Sequence, residues 1–349
     1  MKTAVVILNY NTRDYLKQFL PGLIASCEGP DAEVVVADNA STDGSVELMQ
    51  AEFPQVPLIR LEENFGFTGG YNRALSQVEA DFYVLINSDI EVPRDWLKPL
   101  VKWMESHPEC GACGPKLLSY RERDRFEYAG AAGGLLDRYG YPFCRGRVMQ
   151  KVEKDHGQYN SPANVLWCSG ACLMVRASVW RALGGLDERF FAHMEEIDLC
   201  WRMQLEGWKV TLVPESFVYH IGGGTLPNES PFKLRLNFRN NLLLLENNLP
   251  ATFMADKMAD QVGHDNPRHS RLERESRRRA RRRIFVRKCL DGCSALVFLL
   301  QGKRSFFRAV LEAHREYRKL RRPGPVPPHP AKPEGLYKGW IVPKGLFGK

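Results

Sequence analysis

Four short apolar runs fall within the first ninety residues, at 4–8, 34–37, 58–61 and 82–86, and each gives way to polar loop residues. Their β-branched and aromatic content reads as buried strands of a parallel sheet. Helix signals lie between them. Thr12 or Asp14 can cap a first helix, whose Tyr15, Phe19, Leu20 and Leu23 recur at helical spacing. Ser41-Thr42-Asp43 opens a second, and Thr68-Gly69-Gly70 leads into a third. This β-α-β-α-β-α-β alternation implies right-handed crossovers and predicts an α/β fold with a doubly wound, mostly parallel sheet. Ligands of such sheets gather beyond the carboxyl ends of the strands. Those ends carry Asn9-Tyr10-Asn11, Asp38-Asn39, Asn64-Phe65-Gly66 and Asn87-Ser88-Asp89. Such groups suit hydroxyls, phosphates and a divalent ion.

Past residue 91 the alternation loosens. A helix is expected near 96–105, a strand at 115–118, and then an irregular Gly- and Arg-rich stretch at 120–160, a candidate acceptor surface or lid. A strand at 165–175, a helix at 195–206, strands at 208–213 and 217–220, and an apolar helix at 233–249 follow. Residues 256–283 read as a mobile linker or a solvent-exposed basic helix, and 284–300 with 306–320 as an amphipathic helical pair. Six prolines within 323–333 predict an extended or disordered tail. The expected division is a catalytic-type domain at 1–250, a basic linker at 251–283, a helical segment at 284–322 and a Pro-rich tail at 323–349.

With 44% hydrophobic residues and a mean hydropathy of −0.35, the chain is not a multi-spanning membrane protein. Its 349 residues suffice for one large core. The net charge of +8 conceals an asymmetry: residues 268–322 hold 19 Lys or Arg against 5 Asp or Glu, a net of +14, which leaves −6 for the remainder. The nine cysteines are odd in number and several lie in apolar runs, while the first apolar run, ending at Asn9, is too short for a secretory leader. Both features point to reduced thiols in the cytosol. Cys110 and Cys113 have no second Cys or His pair at zinc-finger spacing, which favours buried, inert thiols.

Four features carry chemistry. A short acidic turn such as Asn87-Ser88-Asp89 can hold a hard cation that bridges a diphosphate. Asp38, at the same sheet edge, suits ribose hydroxyls or a base imide. The glycines of Asn64-Phe65-Gly66-Phe67-Thr68-Gly69-Gly70-Tyr71-Asn72-Arg73 permit close backbone approach, and the helix that follows offers free N–H groups to phosphate. Glu195-Glu196-Ile197-Asp198 places carboxylates at a helix start, where the dipole favours the ionised form that a proton acceptor needs. Each feature taken alone also fits a plain turn or cap.

Together, residues 6–11, 37–45, 64–72, 87–89 and 195–200 resemble family-2 inverting glycosyltransferases of the GT-A fold, most nearly bacterial rhamnosyltransferase-like members that build surface polysaccharide. The resemblance covers about residues 1–250 and leaves a helical C-terminal appendage outside it. It implies that Asn9 and Asn11 border the nucleotide pocket, and that Asp38 contacts the nucleoside. Asn64, Gly69, Gly70 and Asn72 would frame the sugar-nucleotide site together with Ser88. Asp89 would bind the divalent cation (Mg2+ or Mn2+), His220 would complete the metal site, and Arg239 of the Arg239-Asn240 pair would meet the diphosphate. Glu196 would be the general base, with Glu195 its rival. Two departures stand out: the metal turn begins with neutral Asn87, and the base is Glu where Asp is usual. Asp198, four residues before Arg202, suits a helix salt bridge instead. The implied partners are a UDP- or dTDP-sugar and a glycan or lipid-linked acceptor.

The basic segment is suited to an anionic membrane surface, on the inner face of the cytoplasmic membrane, or to packing as a hairpin on the catalytic domain. Nucleic acid fits poorly, since no aromatics interleave the Arg run. A sugar-1-phosphate nucleotidyltransferase would carry a Gly-rich basic loop after the first strand, where this chain has Asn9-Tyr10-Asn11-Thr12. A dinucleotide oxidoreductase would carry Gly-x-Gly-x-x-Gly there. A sugar-nucleotide binder without catalysis is the remaining alternative.

Overall fold

The computed structural model describes residues 1–27, 29, 31–222, 230–259, 269–322 and 326–342. β1 (Thr3–Asn9), β2 (Ala32–Asp38), β3 (Leu58–Arg60) and β4 (Phe82–Ile86) form where the apolar runs place them. They lie parallel in the order β3-β2-β1-β4 and are joined by α1 (Arg13–Ser26), α2 (Ser45–Glu52) and α3 (Gly66–Leu75). Because the chain moves outward from β1 to β3 and then returns to the other side of β1, the winding reverses between β1 and β4. A crevice opens beyond the strand ends at such a reversal. Alternate residues of β1 serve opposite faces. Val5 and Ile7 join Leu16, Leu20 and Leu48 in one layer, and Ala4 and Val6 join Tyr71, Ala74 and Leu199 in the other. A sheet covered on both faces explains the unbroken apolar runs.

The sheet continues past β4 through β12 (Cys172–Arg176), β6 (Cys110–Ser119), β13 (Lys209–His220) and β11 (Ala163–Asn164), with β5 (Ile90–Glu91) paired to β13. β12 is antiparallel to both its neighbours, while β13 and β6 are parallel. The sheet is thus mixed, parallel in its first half. The strand expected at 165–175 is split, because Ser169 turns the chain: its Oγ donates to the Ala129 carbonyl, and its own carbonyl accepts from the Cys172 N–H. The two strands expected at 208–220 are one, with a register shift between Leu212 and Phe217 where Ser216 donates to the Trp96 carbonyl.

Residues 120–160 are less irregular than expected. β7 (Gly134–Asp137), β8 (Pro142–Cys144), β9 (Arg147–Val148) and β10 (Lys151–Val152) form a second sheet, completed by β14 (Leu336–Tyr337) from the tail. The described part of the tail is therefore docked. Ala331 N–H donates to the Leu205 carbonyl, Glu334 N–H to Gln204, and Ile341 N–H to Asp137.

The division expected at residue 250 falls inside α7 (Pro231–Ala259), which keeps Ala251, Phe253 and Met254 buried beyond Pro250. Residues 269–283 of the expected linker are the first half of α8 (His269–Leu300), while 260–268 lie outside the described residues. α8 and α9 (Arg304–Leu320) are fastened to the body through buried polar groups. Arg287 pairs with Asp291 at 2.7 Å and donates to the Tyr139 carbonyl and to Asn241, and Asp291 meets His314 at 3.1 Å.

The tightest glycine contact among the described residues is at Gly134 of β7, whose added Cβ would sit 1.9 Å from the Trp167 ring. Gly134→Ala should therefore destabilise the protein by about 2 kcal/mol or more, read as a lowered urea midpoint at unchanged slope.

Candidate active site

The ends of β1, β2 and β4 are knitted by one buried polar chain. The fully buried Asn9 donates from Nδ2 to Asp38 Oδ1 at 2.8 Å and to Ser41 Oγ at 3.0 Å. Asn9 Oδ1 accepts from Thr12, whose hydroxyl lies 2.8 Å from that of Ser88. Thr12 stands at the N-cap of α1 but its side chain does not cap; it crosses instead to the β4 turn. The other Asp38 oxygen accepts from the Ser41 N–H, and Asn11, with a left-handed φ of 53°, accepts from the Thr42 N–H. The crevice between β1 and β4 is thereby held at a fixed width.

Asp89 lies on that crevice, buried, with His220 beside it. Pairing of β5 with β13 sets His220 opposite Ile90, so the imidazole Nε2 meets Asp89 Oδ1 at 3.2 Å. On its other side Nδ1 lies 3.6 Å from Glu127, close enough for an ion pair but too far for a hydrogen bond. Burial opposes a charge on His220, yet the two carboxylates outweigh it and raise the pKa to about 10. The 3.2 Å spacing also fits two neighbouring ligands of a cation at roughly 2.1–2.3 Å. Among the described residues no set of three or more His, Cys, Asp or Glu is arranged to hold a metal. Among the described residues Asp89 and His220 could serve as two such ligands, and a cation there would displace the proton on Nε2.

The acidic helix start is built on strain. α6 (Glu195–Leu205) follows a loop in which Phe191, His193 and Met194 adopt φ of 63°, 72° and 73°. Left-handed backbone at bulky residues costs about 1–3 kcal/mol each and persists only where the surroundings impose it. Here Asn240 Nδ2 donates to the carbonyls of Phe190, Ala192 and His193 at 2.7–2.9 Å. Arg239 donates to the Phe190 carbonyl as well. The Phe191 carbonyl accepts the N–H groups of Phe67 and Thr68. The start of α3, expected to be open to phosphate, is thus occupied by protein.

Within this loop the two glutamates sit close together and poorly solvated. Glu195 is 4% exposed, and Glu195 and Glu196 each have one buried, unpartnered carboxylate oxygen. Burial pushes the Glu196 pKa up to about 7 against the pull of backbone N–H groups. Burial and the neighbouring Glu196 raise Glu195 well above the carboxylate range. The helix dipole was expected to favour ionised carboxylates; desolvation wins. His193, with an unpartnered Nε2, is pushed down to about 4 by burial and by Lys233 and stays neutral. Glu196 rests against Gly170, and the next residue's carbonyl accepts the Asn87 N–H, so the acidic pair and the Asn87–Asp89 turn share one rim. The buried Cys144 thiol lies within electrostatic reach of both Glu127 and Glu196. A cavity of about 830 Å3 between α3 and Trp180 is lined by none of these rim residues.

A family model described as "Glycosyl transferase family 2" matches residues 4–184, just over half of the chain. The chain belongs to glycosyl transferase family 2. This glycosyltransferase is 28% identical over 297 residues to the N-acetylglucosaminyl-diphospho-decaprenol L-rhamnosyltransferase of Mycobacterium tuberculosis H37Rv, covering 80% of this chain and 95% of that one. It is 26% identical over 226 residues to the rhamnosyltransferase WbbL of Escherichia coli K12, covering 62% and 82%. Among solved structures, GalNAc-T7 with UDP, GalNAc and Mn2+ superposes with a TM-score of 0.56 at 16% identity, over 80% of this chain and 54% of that one. That likeness establishes the GT-A fold.

Several residues expected at the donor have structural partners of their own. Asn72 exchanges both amide groups with the Leu186 backbone, and Asn64 Oδ1 accepts from Asn39 and the Gly66 N–H. Gly69 and Gly70 lie inside α3, where a Cβ on Gly70 would press on Leu8 at 2.7 Å. Each nitrogen of Arg239 is engaged, by Asn240, by Glu316 of α9 and by the Phe190 carbonyl, so this side chain braces the loop before α6. Asp198 pairs with Arg202 at 2.7 Å, as its spacing suggests. Glu127 was not foreseen; it reaches the rim because its N–H bonds to the Leu117 carbonyl in a stretch without period. Asn240→Ala should lower kcat by about tenfold or more with a small change in donor KM, since it frees the loop and not the donor site. A loss confined to KM would place Asn240 at the donor.

Proposed function

We propose that this glycosyltransferase moves a deoxyhexose, on the model of its rhamnosyltransferase relatives, from a nucleoside-diphosphate donor to a hydroxyl of a lipid-linked or growing glycan acceptor in surface polysaccharide synthesis. The observation that carries the reading is the juxtaposition, on one rim, of a carboxylate poised near neutrality with the Asp89–His220 pair. The nucleoside end would lie at Asn9, Asn11 and Asp38, and the diphosphate at Ser88 and Asp89. Asp89 and His220 would hold a divalent cation; when bound, it would offset charge on the departing diphosphate. Mn2+ stands in the structure of the GT-A neighbour. Free, mostly buried cysteines suit the reducing cytoplasm, where such donors are used.

In the step proposed, Glu196 takes the proton of the acceptor hydroxyl, and that oxygen forms a bond to the anomeric carbon. The bond from this carbon to the phosphate oxygen breaks on the opposite face, its electron pair leaving with the diphosphate. Configuration at the carbon is inverted. Glu195, kept protonated, adds no competing charge.

Since Glu196 works in its ionised form, transfer should fall as the pH drops below about 7, with a titration limb well above an ordinary carboxylate. Glu196→Gln should lose about a thousand-fold or more in kcat with donor binding nearly intact, whereas Glu195→Gln should stay within a few-fold of the parent. The reverse result would give the role to Glu195, and a retained anomer by NMR would refute the displacement. Asp89→Asn should abolish stimulation by Mn2+ or Mg2+, followed by transfer assays across a cation titration; unchanged stimulation would remove Asp89 from the cation.

A further inference from the structure

α8 carries two rows of side chains on nearly opposite sides, as its 100° per residue requires. The inner row, including Ala280, Ile284, Arg287, Asp291 and Ala295, is buried against the body. The outer row is Phe285, Cys289, Cys293, Leu296 and Leu300, at steps of four, four, three and four, and all five are exposed. Phe285 is 68% exposed, Leu296 56% and Leu300 87%, and Val286, Val297 and Leu299 widen the strip. A contiguous aliphatic strip of this kind marks an interaction surface. Cations bracket it: Arg278, Arg281 and Arg282 precede it on the outer side, and Lys303 and Arg304 follow at the turn into α9, all exposed.

We infer that this outer face of α8, with the turn into α9, docks on the surface of an anionic lipid bilayer. The helix lies in the plane of the interface, its aliphatic strip at the acyl boundary and its cations among the headgroups. No described helix is long and apolar enough to cross a membrane, so the contact is peripheral on this face. The charge pattern selects the occupant. A second copy would bring one arginine-rich face against another, and a nucleic acid would leave the aliphatic strip in water. The surface lies apart from the rim residues, and the inference stands or falls independently of the transfer chemistry.

Flotation of the full chain with vesicles containing phosphatidylglycerol, or with pure phosphatidylcholine, tests it. The parent should float with the anionic vesicles at low salt, and at least about tenfold less with neutral ones. Leu296→Ser/Leu300→Ser and, separately, Arg278→Ser/Arg281→Ser/Arg282→Ser should each lose about tenfold or more of that binding, with thermal unfolding unchanged because these side chains are exposed. No flotation of the parent, or equal flotation of the Leu296→Ser/Leu300→Ser variant, would overturn the inference. A concentration-dependent dimer abolished by that variant, without flotation, would assign the face to a second copy and overturn it as well.

Discussion

One buried amide, that of Asn240, answers three carbonyls of the loop before α6. The loop joins neither sheet nor helix, and buried carbonyls without partners would cost more than its left-handed residues already do. α7 supplies that satisfaction from outside, and the Phe191 carbonyl repays part of it by closing the start of α3. Glu195 and Glu196 are thus aimed from two directions, by a helix late in the sequence and by one near its beginning. α9 adds a third support: Glu316 holds Arg235 and Arg239, and the carbonyls of Leu320 and Arg322 accept from Arg189.

The same competition between burial and local charge has opposite winners at the two halves of the rim. At Glu195 and Glu196 no cation among the described residues offsets the lost hydration, so the protonated forms gain. At His220 burial also disfavours charge, but a carboxylate flanks each ring nitrogen. A carboxyl poised near neutrality and an imidazole that favours positive charge therefore coexist on one rim.

The parallel half of the sheet and the placement of Asn9, Asp38 and Asp89 were legible because apolar runs and strand-end polarity are local signals. The acidic pair was legible for the same reason. What stayed hidden depends on contacts between distant segments. Glu127 sits in a stretch with neither period, brought to His220 only by the pairing of its neighbours with β6. The structural partners of Asn64, Asn72 and Arg239 also stayed hidden, because they come from Asn39, Leu186, Phe190, Asn240 and Glu316, most of them far away in the sequence. The dipole argument at α6 had the right sign and too small a size, because burial cannot be read from a run of four residues.

The tail has a consequence for how the molecule comes into being. Ile341 donates to Asp137, 204 positions away, and β14 completes the sheet that carries the 134–152 strands. A bond closing so long a loop is entropically late, since nearly everything between its ends must first be in place. The small sheet beside the rim therefore gains its last strand only after residues 336–337 have been made. Until then its edge is open, and a half-synthesised molecule is the one most prone to stick to its neighbours.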